Sequence, residues 1–309
     1  MKASAATFHI WKSLVEKAGY KVSDIPNKWD EFIDFFKPMQ QELRKKGMRH
    51  AYSWGLEVST QGVDPVRTFS VYNIAHGGGD MVTPDGVLHA DNPKVKAAVI
   101  RTMSRMYELY NSYVPKSAIN WNDADNNNAF HSKLIVAVYN GSLSIELARI
   151  ANKEEYDDIL TYAVPNDNDG KPLPAEIGIF GAVIPKAAKN VEVAKDFLKY
   201  SIQPEVLNQY LQAGLGRWAV PMPEVAQNDA FWLKSGDQHR TAYINQILFR
   251  KRIPLYTAYN PASAEVDSKH VFQTAWAGMV QNGMKAEDAA AQALKQCKDI
   301  YAKYPIQKG

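Results

Sequence analysis

The glycine run at 76–79 (HGGG) is the segment of this sequence closest in type to catalytic machinery. In some lipases and esterases such a loop points backbone N–H groups at a developing oxyanion. These enzymes also need a Gly-x-Ser-x-Gly turn for the nucleophile, and the nearest sequence here, 140–144 (NGSLS), lacks the second glycine. A strand-and-turn pattern follows the run, where a phosphate-binding loop would lead into a helix. We therefore interpret the run as a turn and predict no catalytic residues.

Patterns that would bind a metal ion are equally incomplete. Residues 167–170 (DNDG) resemble part of a calcium loop, but Pro165 stands at the first ligand position and offers no carboxylate. The seven histidines form no His-Glu-x-x-His motif, and the single cysteine, Cys297, excludes cysteine-rich zinc sites and an intrachain disulfide. Cys297 lies in an amphipathic repeat, which predicts a buried structural thiol. We predict neither a metal site nor a cofactor.

Aromatic and amide side chains are frequent near the predicted loops and strand ends. They are Trp54, Trp121, Asn122, Asn140, Trp218, Tyr256 and Tyr259. Aromatic rings stack on the apolar C–H faces of sugars, and amides hydrogen-bond sugar hydroxyls. The mixture favours a carbohydrate-binding cleft, although each aromatic taken alone is more typical of a hydrophobic core.

Strands that alternate with helices must position these residues. Strand-like segments are predicted at 51–58, 134–139, 159–165 and 176–185. Helices are predicted over 8–19, from about 29 to 47, from 93 to 113, at 190–203 and 204–213, and as two helices from Ser263 onward with a break near Gly283. This order implies an α/β layer architecture that is rich in helix.

Length, charge and hydropathy restrict the classes of fold and partner. A chain of 309 residues exceeds the usual size of one hydrophobic core, so we expect two packed units. The 36 basic and 33 acidic side chains are dispersed, which disfavours a nucleic-acid partner. The sequence has no apolar run near the length of a membrane span. The first residues, MKASAATFHIWKSL, lack the apolar stretch of a secretory signal.

Four segments in one order resemble the family 1 extracellular solute-binding proteins, the maltose-binding-protein-like group of ABC importers. Residues 8–36 contain a helix, a short loop and a Trp-Asp-Glu helix start; residues 129–144 contain an apolar strand and an Asn-Gly-Ser turn. In the second segment Ser132 and Lys133 replace the usual Gly-Lys. Residues 177–198 contain Ile-Pro-Lys before a helix, and the alanine-rich helix start at 285–290 resembles the closing helix pair. The resemblance extends over nearly the whole chain.

The resemblance implies a periplasmic-binding-protein-like (type II) fold with two lobes. Members of the family begin with a signal peptide and the first strands of lobe 1, so we expect lobe 1 to be incomplete in this chain. Residues 1–177 would form the main part of lobe 2, and residues 178–238 the remainder of lobe 1. Residues 239–309 would be C-terminal helices that return to lobe 2.

The resemblance also implies a function and a set of site residues. The protein would be a monomeric, non-enzymatic component, periplasmic or extracellular, that binds a small solute between the lobes and delivers it to the importer's membrane subunits. Carried over to matching positions, the cleft residues would be Trp54, Glu57, Asn140, Gly141, Ser142, Phe180, Gly181, Arg217 and Trp218. We expect the three aromatic residues to stack on the solute and the polar side chains of Glu57, Asn140, Ser142 and Arg217 to hydrogen-bond its hydroxyls.

Two alternatives to solute binding stay open at this point. A glycoside-processing enzyme would need two carboxyl groups about 5 to 10 Å apart, and Glu57 is the only carboxylic residue in the predicted set. A truncated fragment that binds nothing is the second alternative, and cooperative unfolding would distinguish it. The solute class is also open, because Arg217 could pair with a carboxylate or a phosphate as well as with a sugar hydroxyl.

Overall fold

The strands of the protein form two separate sheets. In the computed structural model, which describes residues 1–233 and 236–306, the strands are β1 (Lys2–Ser4), β2 (Thr7–Trp11), β3 (Tyr52–Gly55), β4 (Ile135–Asn140), β5 (Ile159–Tyr162), β6 (Ala175–Phe180) and β7 (Arg252–Pro254). The larger sheet has the order β3-β4-β2-β5 and the smaller sheet the order β1-β6-β7. In the larger sheet β2 runs antiparallel to both β4 and β5, whereas β3 is parallel to β4.

Helices cover both sheets. They are α1 (Lys12–Ala18), α2 (Trp29–Phe35), α3 (Met39–Lys45), α4 (Asp64–Asn73), α5 (Pro93–Tyr113), α6 (Asp125–His131), α7 (Ser144–Leu147), α8 (Lys153–Asp158), α9 (Val191–Ser201), α10 (Pro204–Ala213), α11 (Pro223–Asn228), α12 (Ala230–Leu233), α13 (Gln238–Leu248), α14 (Ala262–Ser268), α15 (Val271–Asn282) and α16 (Ala286–Tyr301). Among the described residues, no helix has the length and apolar character needed to cross a bilayer.

Local sequence signals explain several of these boundaries. The long helix α5 begins where predicted: the Asn92 side chain accepts a hydrogen bond from the Lys94 N–H, and Pro93 occupies the first turn. The glycine run continues α4 as a π-helical turn, Ile74–Gly78, in which Gly77 has a φ of 94°. Only glycine adopts this φ without steric cost.

Three helix predictions were wrong in part. The helix predicted from about 29 to 47 is divided into α2 and α3, with Pro38 directly before α3. The predicted helix over 8–19 begins only at Lys12, because Phe8, Ile10 and Trp11 belong to β2 and are buried between two neighbouring strands. The helix does end at Gly19, as predicted. From Ser263 onward the chain forms three helices and not two, because His270 has a φ of 46° and separates α14 from α15.

The buried apolar side chains form two cores. The larger core surrounds the larger sheet and includes α5, α15 and α16; the smaller core lies against β1 and β6 and includes α10, α12 and α13. Several segments outside the range 178–238 belong to the smaller sheet or core: β1, which pairs with β6, the residue Leu143, strand β7, and Tyr243, Ile244 and Ile247 of α13. The division into lobes stays a prediction. Residues 234–235 and 307–309, which fall within the predicted ranges, lie outside the described part of the chain.

The thiol of Cys297 gives a simple test of packing in α16. The residue is 1% exposed, and burial, with a contribution from Asp267, raises the pKa of the thiol to about 12. We therefore expect no alkylation of the native protein by iodoacetamide at pH 8, and complete alkylation after unfolding in guanidinium. Mass spectrometry measures both, and rapid labelling of the native protein would contradict the described packing.

Candidate functional site

A cavity of about 330 Å³ is lined by residues of both sheets. The segment 4–6, which runs from β1 into β2, forms one wall together with the end of β6. The end of β4, the turn that follows it and the first residues of α4 also line the cavity. A solute in this cavity would therefore contact residues from both sheets at once.

Asn140 organises the turn at the end of β4. Its side-chain oxygen accepts hydrogen bonds from the Ser142 N–H at 3.1 Å and from the Ser144 hydroxyl at 3.3 Å, and its amide donates to the Asn127 side chain at 2.8 Å. Asn140 and Ser142 are both buried. Since these bonds already use the Asn140 oxygen, we expect Asn140 to hold the turn in shape while Gly141 and the serines present polar groups to the cavity.

An acidic wall lies at the start of α4. Asp123 accepts hydrogen bonds from the Val63 N–H at 2.7 Å and the Asp64 N–H at 3.1 Å. Burial and the neighbouring Asp123 charge raise the pKa of Asp64 to about 6. A hydrogen bond from Asn126 and the charge of Arg67 act in the opposite direction and lower this pKa. The sequence analysis missed Asp64 and Asp123. The one available signal was Asp64 before Pro65, which is typical of a helix start and does not indicate a ligand.

Glu57 lies behind this wall and does not line the cavity. It is 2% exposed, and neither carboxyl oxygen has a hydrogen-bond partner among the described residues. Burial raises the pKa of Glu57 well above its usual value, with additional contributions from the charges of Asp64, Asp123 and Asp125.

An ion pair between Arg67 and Glu176 links helix α4 to strand β6 at the cavity. Arg67 lies on α4 and Glu176 on β6, with 3.7 Å between the guanidinium Nη1 and the carboxylate Oε2. The Ser70 hydroxyl donates to the other carboxylate oxygen at 2.9 Å. Burial raises the pKa of Glu176, while Arg67 and Ser70 oppose that shift.

An aromatic wall lies on the side of the smaller sheet. The ring centroids of Phe180 and Trp218 are 5.7 Å apart at an interplanar angle of 62°. The Lys2 ammonium lies 3.5 Å from the Trp218 centroid, and the Arg217 guanidinium lies 5.6 Å from it. Burial and the Arg217 charge lower the pKa of Lys2. A solute that stacks on this face of Trp218 must displace Lys2.

The structure brings most of the predicted site residues together. Those that line the cavity are Asn140, Gly141, Ser142, Phe180, Arg217 and Trp218. Trp121, Asn122, Tyr256 and Tyr259, also considered from the sequence, do not line it. The part of the chain that the structure describes contains no group of three or more His, Cys, Asp or Glu side chains placed to hold a metal ion.

Trp54 and Gly181 lie elsewhere than we expected. Trp54 is 2% exposed, its indole N–H donates to the Ile33 carbonyl at 3.1 Å, and its ring contacts Phe8 and Phe36. It therefore stabilises the larger core and cannot stack on a solute. Gly181 follows β6 and is exposed outside the cavity.

The raised pKa of Asp64 predicts a pH-dependent effect of Asp64→Asn. The folded-state pKa of about 6 lies above the ordinary 3.8, so the ionised form of this carboxyl group is less favourable in the folded protein than in the unfolded chain. The folded protein therefore has its full stability, as far as this group is concerned, below about pH 3.8 and loses part of it as the pH rises through 6. The asparagine variant should therefore be more stable than the parent at pH 7.5, by on the order of 1 to 3 kcal/mol, and should show no gain at pH 4. Urea unfolding at the two pH values measures the difference, and an equal effect at both would contradict the assignment.

Comparison with known proteins supplies the context for this cavity. A sequence model described as bacterial extracellular solute-binding protein matches residues 2–237. The fold matches a maltose-bound MalE3 of Thermotoga maritima with a TM-score of 0.75 and 19% identity, over 97% of this chain and 71% of that one. It matches an ABC transporter solute-binding protein of Thermotoga lettingae bound with α-D-tagatose with a TM-score of 0.73 and 18% identity, over 97% and 71%.

A third solved structure gives the same fold. The GacH receptor of Streptomyces glaucescens, studied without ligand and with acarbose, matches with a TM-score of 0.73 and 18% identity, over 98% of this chain and 71% of that one. Among the curated proteins no sequence matches this chain.

Proposed function

Since the chain belongs to the bacterial extracellular solute-binding proteins, we propose that it binds a sugar or a related polyol and delivers it to an ABC importer. Its α/β, helix-rich fold is the periplasmic-binding-protein-like fold of the solved relatives. We propose a periplasmic or extracellular location, with the importer's membrane subunits as partners.

One observation carries the choice of solute. The same cavity is lined by two aromatic side chains, Phe180 and Trp218, and by hydroxyl-bonding groups at the end of β4 and at Asp64. Aromatic rings recognise the C–H faces of a sugar, while hydroxyls, amides and carboxylates recognise its O–H groups. The sugars in the names of the compared structures, maltose, tagatose and acarbose, support the same class.

The position of the cavity supports binding by closure. The segment 4–6 lines the cavity and connects β1 of the smaller sheet to β2 of the larger sheet, so a rotation about this segment would change the cavity width. A solute that touches both walls stabilises the closed form by its differential affinity for that form. We propose that the closed form is the one that the importer recognises.

The glycosidase alternative now has three carboxyl groups in the cavity wall, Asp64, Asp123 and Glu176. Glu176 is paired with Arg67 and accepts the Ser70 hydroxyl. However, Asp123 accepts the backbone N–H groups of Val63 and Asp64, so it serves the start of α4 and is poorly placed to attack a glycosidic bond. We therefore propose reversible binding without turnover.

Thermal unfolding against a solute panel tests this proposal. The panel contains maltose, D-tagatose, acarbose, ribitol, D-mannitol and glucuronate, each at 5 mM. A solute with micromolar affinity should add about 4 kcal/mol at a thousandfold excess and raise Tm by several degrees. Chromatography of each mixture after a day should show the solute unchanged. A sharp transition that no sugar or polyol shifts, or any hydrolysis of maltose or acarbose, would contradict the proposal.

A further inference from the structure

A series of hydrogen bonds runs from the turn after β4 to the Asp64 carboxylate. The Ser142 N–H donates to the Asn140 side-chain oxygen at 3.1 Å, and the Asn140 amide donates to the Asn127 side-chain oxygen at 2.8 Å. The Asn127 N–H donates to the Asn126 side-chain oxygen at 2.6 Å, and the Asn126 amide donates to an Asp64 carboxylate oxygen at 3.4 Å. These residues form an asparagine relay in which every donor points towards the carboxylate.

Asn126 belongs to this relay without reaching the cavity. Its side chain is fully buried and does not line the cavity, whereas Asp64, Asn127 and Asn140 all line it. A buried amide that loses its partners costs about 1 to 3 kcal/mol, so both polar ends of Asn126 keep the contacts described above. Asn126 can therefore act on a solute only through the residues that it holds in place.

The backbone beside the relay is also fixed. Asp123, which precedes α6, accepts the N–H groups of Val63 and Asp64. Gly62 has a φ of 87°, and a Cβ added there would lie 2.1 Å from an Asp123 carboxylate oxygen. No side chain fits at such a distance, so glycine permits this close approach. The two segments are thus held together at the point where the Asn126 amide meets Asp64.

The charges around Asp64 define what the Asn126 amide contributes. Burial and the Asp123 charge raise the pKa of Asp64, while the Asn126 hydrogen bond and the Arg67 charge lower it, because both stabilise the ionised form. The other titratable groups around this position are Glu57, Asp125, Tyr139 and Glu176. Removal of the Asn126 amide leaves all these groups in place. It should therefore raise the pKa of Asp64 further.

We propose that Asn126 is a positioning residue of the solute site, which orients the Asp64 carboxylate and, through Asn127, the turn after β4. The inference rests on the proposed function, because both of these groups act on the solute that the cavity binds. An ionised carboxylate accepts hydrogen bonds from sugar hydroxyls with both oxygens, whereas the protonated form has less acceptor capacity. Solute affinity should therefore increase as the pH rises through about 6.

Carbon-13 NMR of the aspartate carboxyl groups tests the inference without a solute. Asp64→Asn identifies the Asp64 resonance, which should titrate near pH 6 in the parent. Asn126→Leu has a similar side-chain volume and no donor, so the midpoint should rise by at least about 0.5 pH unit. The matched control is Asn128→Leu, an exposed position of α6 outside the cavity, which should keep the parent midpoint.

A second variant keeps this test decisive. Asn126→Ala removes the same donor without adding an apolar side chain, and circular dichroism shows which of the two variants keeps the parent fold. An Asp64 midpoint equal to that of the parent, in a folded Asn126 variant, would overturn the inference.

Isothermal titration calorimetry with the best solute of the panel measures the effect on binding. The parent Kd should fall between pH 5 and pH 7.5. The Kd of Asn126→Leu should be at least about threefold higher than the parent Kd at pH 7, and its fall should occur at a higher pH. Asn128→Leu should match the parent throughout.

The two measurements separate this inference from the proposed function. A parent that binds no solute would contradict the proposed function, and the carboxyl titration would still decide whether Asn126 holds Asp64. A parent that binds with a Kd independent of pH would overturn the inference alone. So would an Asn126→Leu variant with the parent Kd at every pH.

Discussion

Replacement of Trp218 by alanine is expected to raise the Kd for the best solute of the panel by at least tenfold. The ring forms the aromatic wall of the cavity with Phe180, and Lys2 and Arg217 lie against it. Loss of a large aromatic contact in a binding site typically costs about 2 kcal/mol or more. Isothermal titration calorimetry of the parent and the variant measures the change.

Two further variants serve as controls for Trp218. Trp218→Tyr keeps an aromatic face and should retain most of the affinity. Phe249→Ala removes an aromatic side chain of 49% exposure that does not line the cavity, and it should leave the Kd unchanged. An unchanged Kd for Trp218→Ala, with the solute still bound, would show that the aromatic wall does not contact it.

The second large effect is on folding: Glu146→Ala should destabilise the protein by about 3 to 5 kcal/mol. The Glu146 carboxylate is fully buried and lies 2.5 Å from the His9 ring and 3.8 Å from the His239 ring. The Thr161 hydroxyl donates to the same carboxylate oxygen. These four residues connect β2, α7, β5 and α13, so removal of the carboxylate leaves two buried imidazole rings without their acidic partner.

The Glu146 effect should depend on pH. Burial alone would raise the pKa of Glu146, but the interaction and hydrogen bond with His9, together with His239 and Thr161, hold that pKa below its usual value of 4.5. A depressed carboxyl pKa contributes stability that is present above about pH 4.5 and is lost as the pH falls through the folded-state pKa.

Unfolding curves at several pH values measure this contribution. The difference between the parent and Glu146→Ala should therefore be largest near pH 7 and should shrink below pH 4.5. Glu155→Ala, which removes a partly exposed carboxylate on α8, should have little effect at either pH. A loss below 1 kcal/mol for Glu146→Ala at pH 7 would contradict the account of this cluster.

The sequence predicted elements best where burial and local signals agreed. The apolar run of β4 and the Asn92-Pro93 start of α5 both gave the observed element. The segment 8–11 was misassigned because it runs without a break into the helix Lys12–Ala18. Its aromatic and branched residues favour a strand, and pairing with two distant strands makes it one.

The site was predicted less completely, for a physical reason. The turn after β4 and the aromatic pair Phe180–Trp218 could be placed by their positions in the family pattern, and both line the cavity. Asp64 and Asp123 could not, because their contribution depends on the approach of two carboxyl groups that lie far apart in the sequence. Trp54 illustrates the opposite error, since the sequence alone does not distinguish a stacking tryptophan from a core tryptophan.

The central claim is that the cavity between the two sheets is the solute site. Hydrogen–deuterium exchange tests this claim directly when it is measured with and without the solute that gives the largest increase in Tm. We predict slower exchange in the peptides that carry residues 4–6, 140–144, 176–180 and 217–218, because each of these segments contributes residues to the cavity lining. The helices α14 to α16, which lie in the larger core, should exchange at unchanged rates. Protection confined to peptides outside the cavity would contradict the account, because the solute would then bind at another surface.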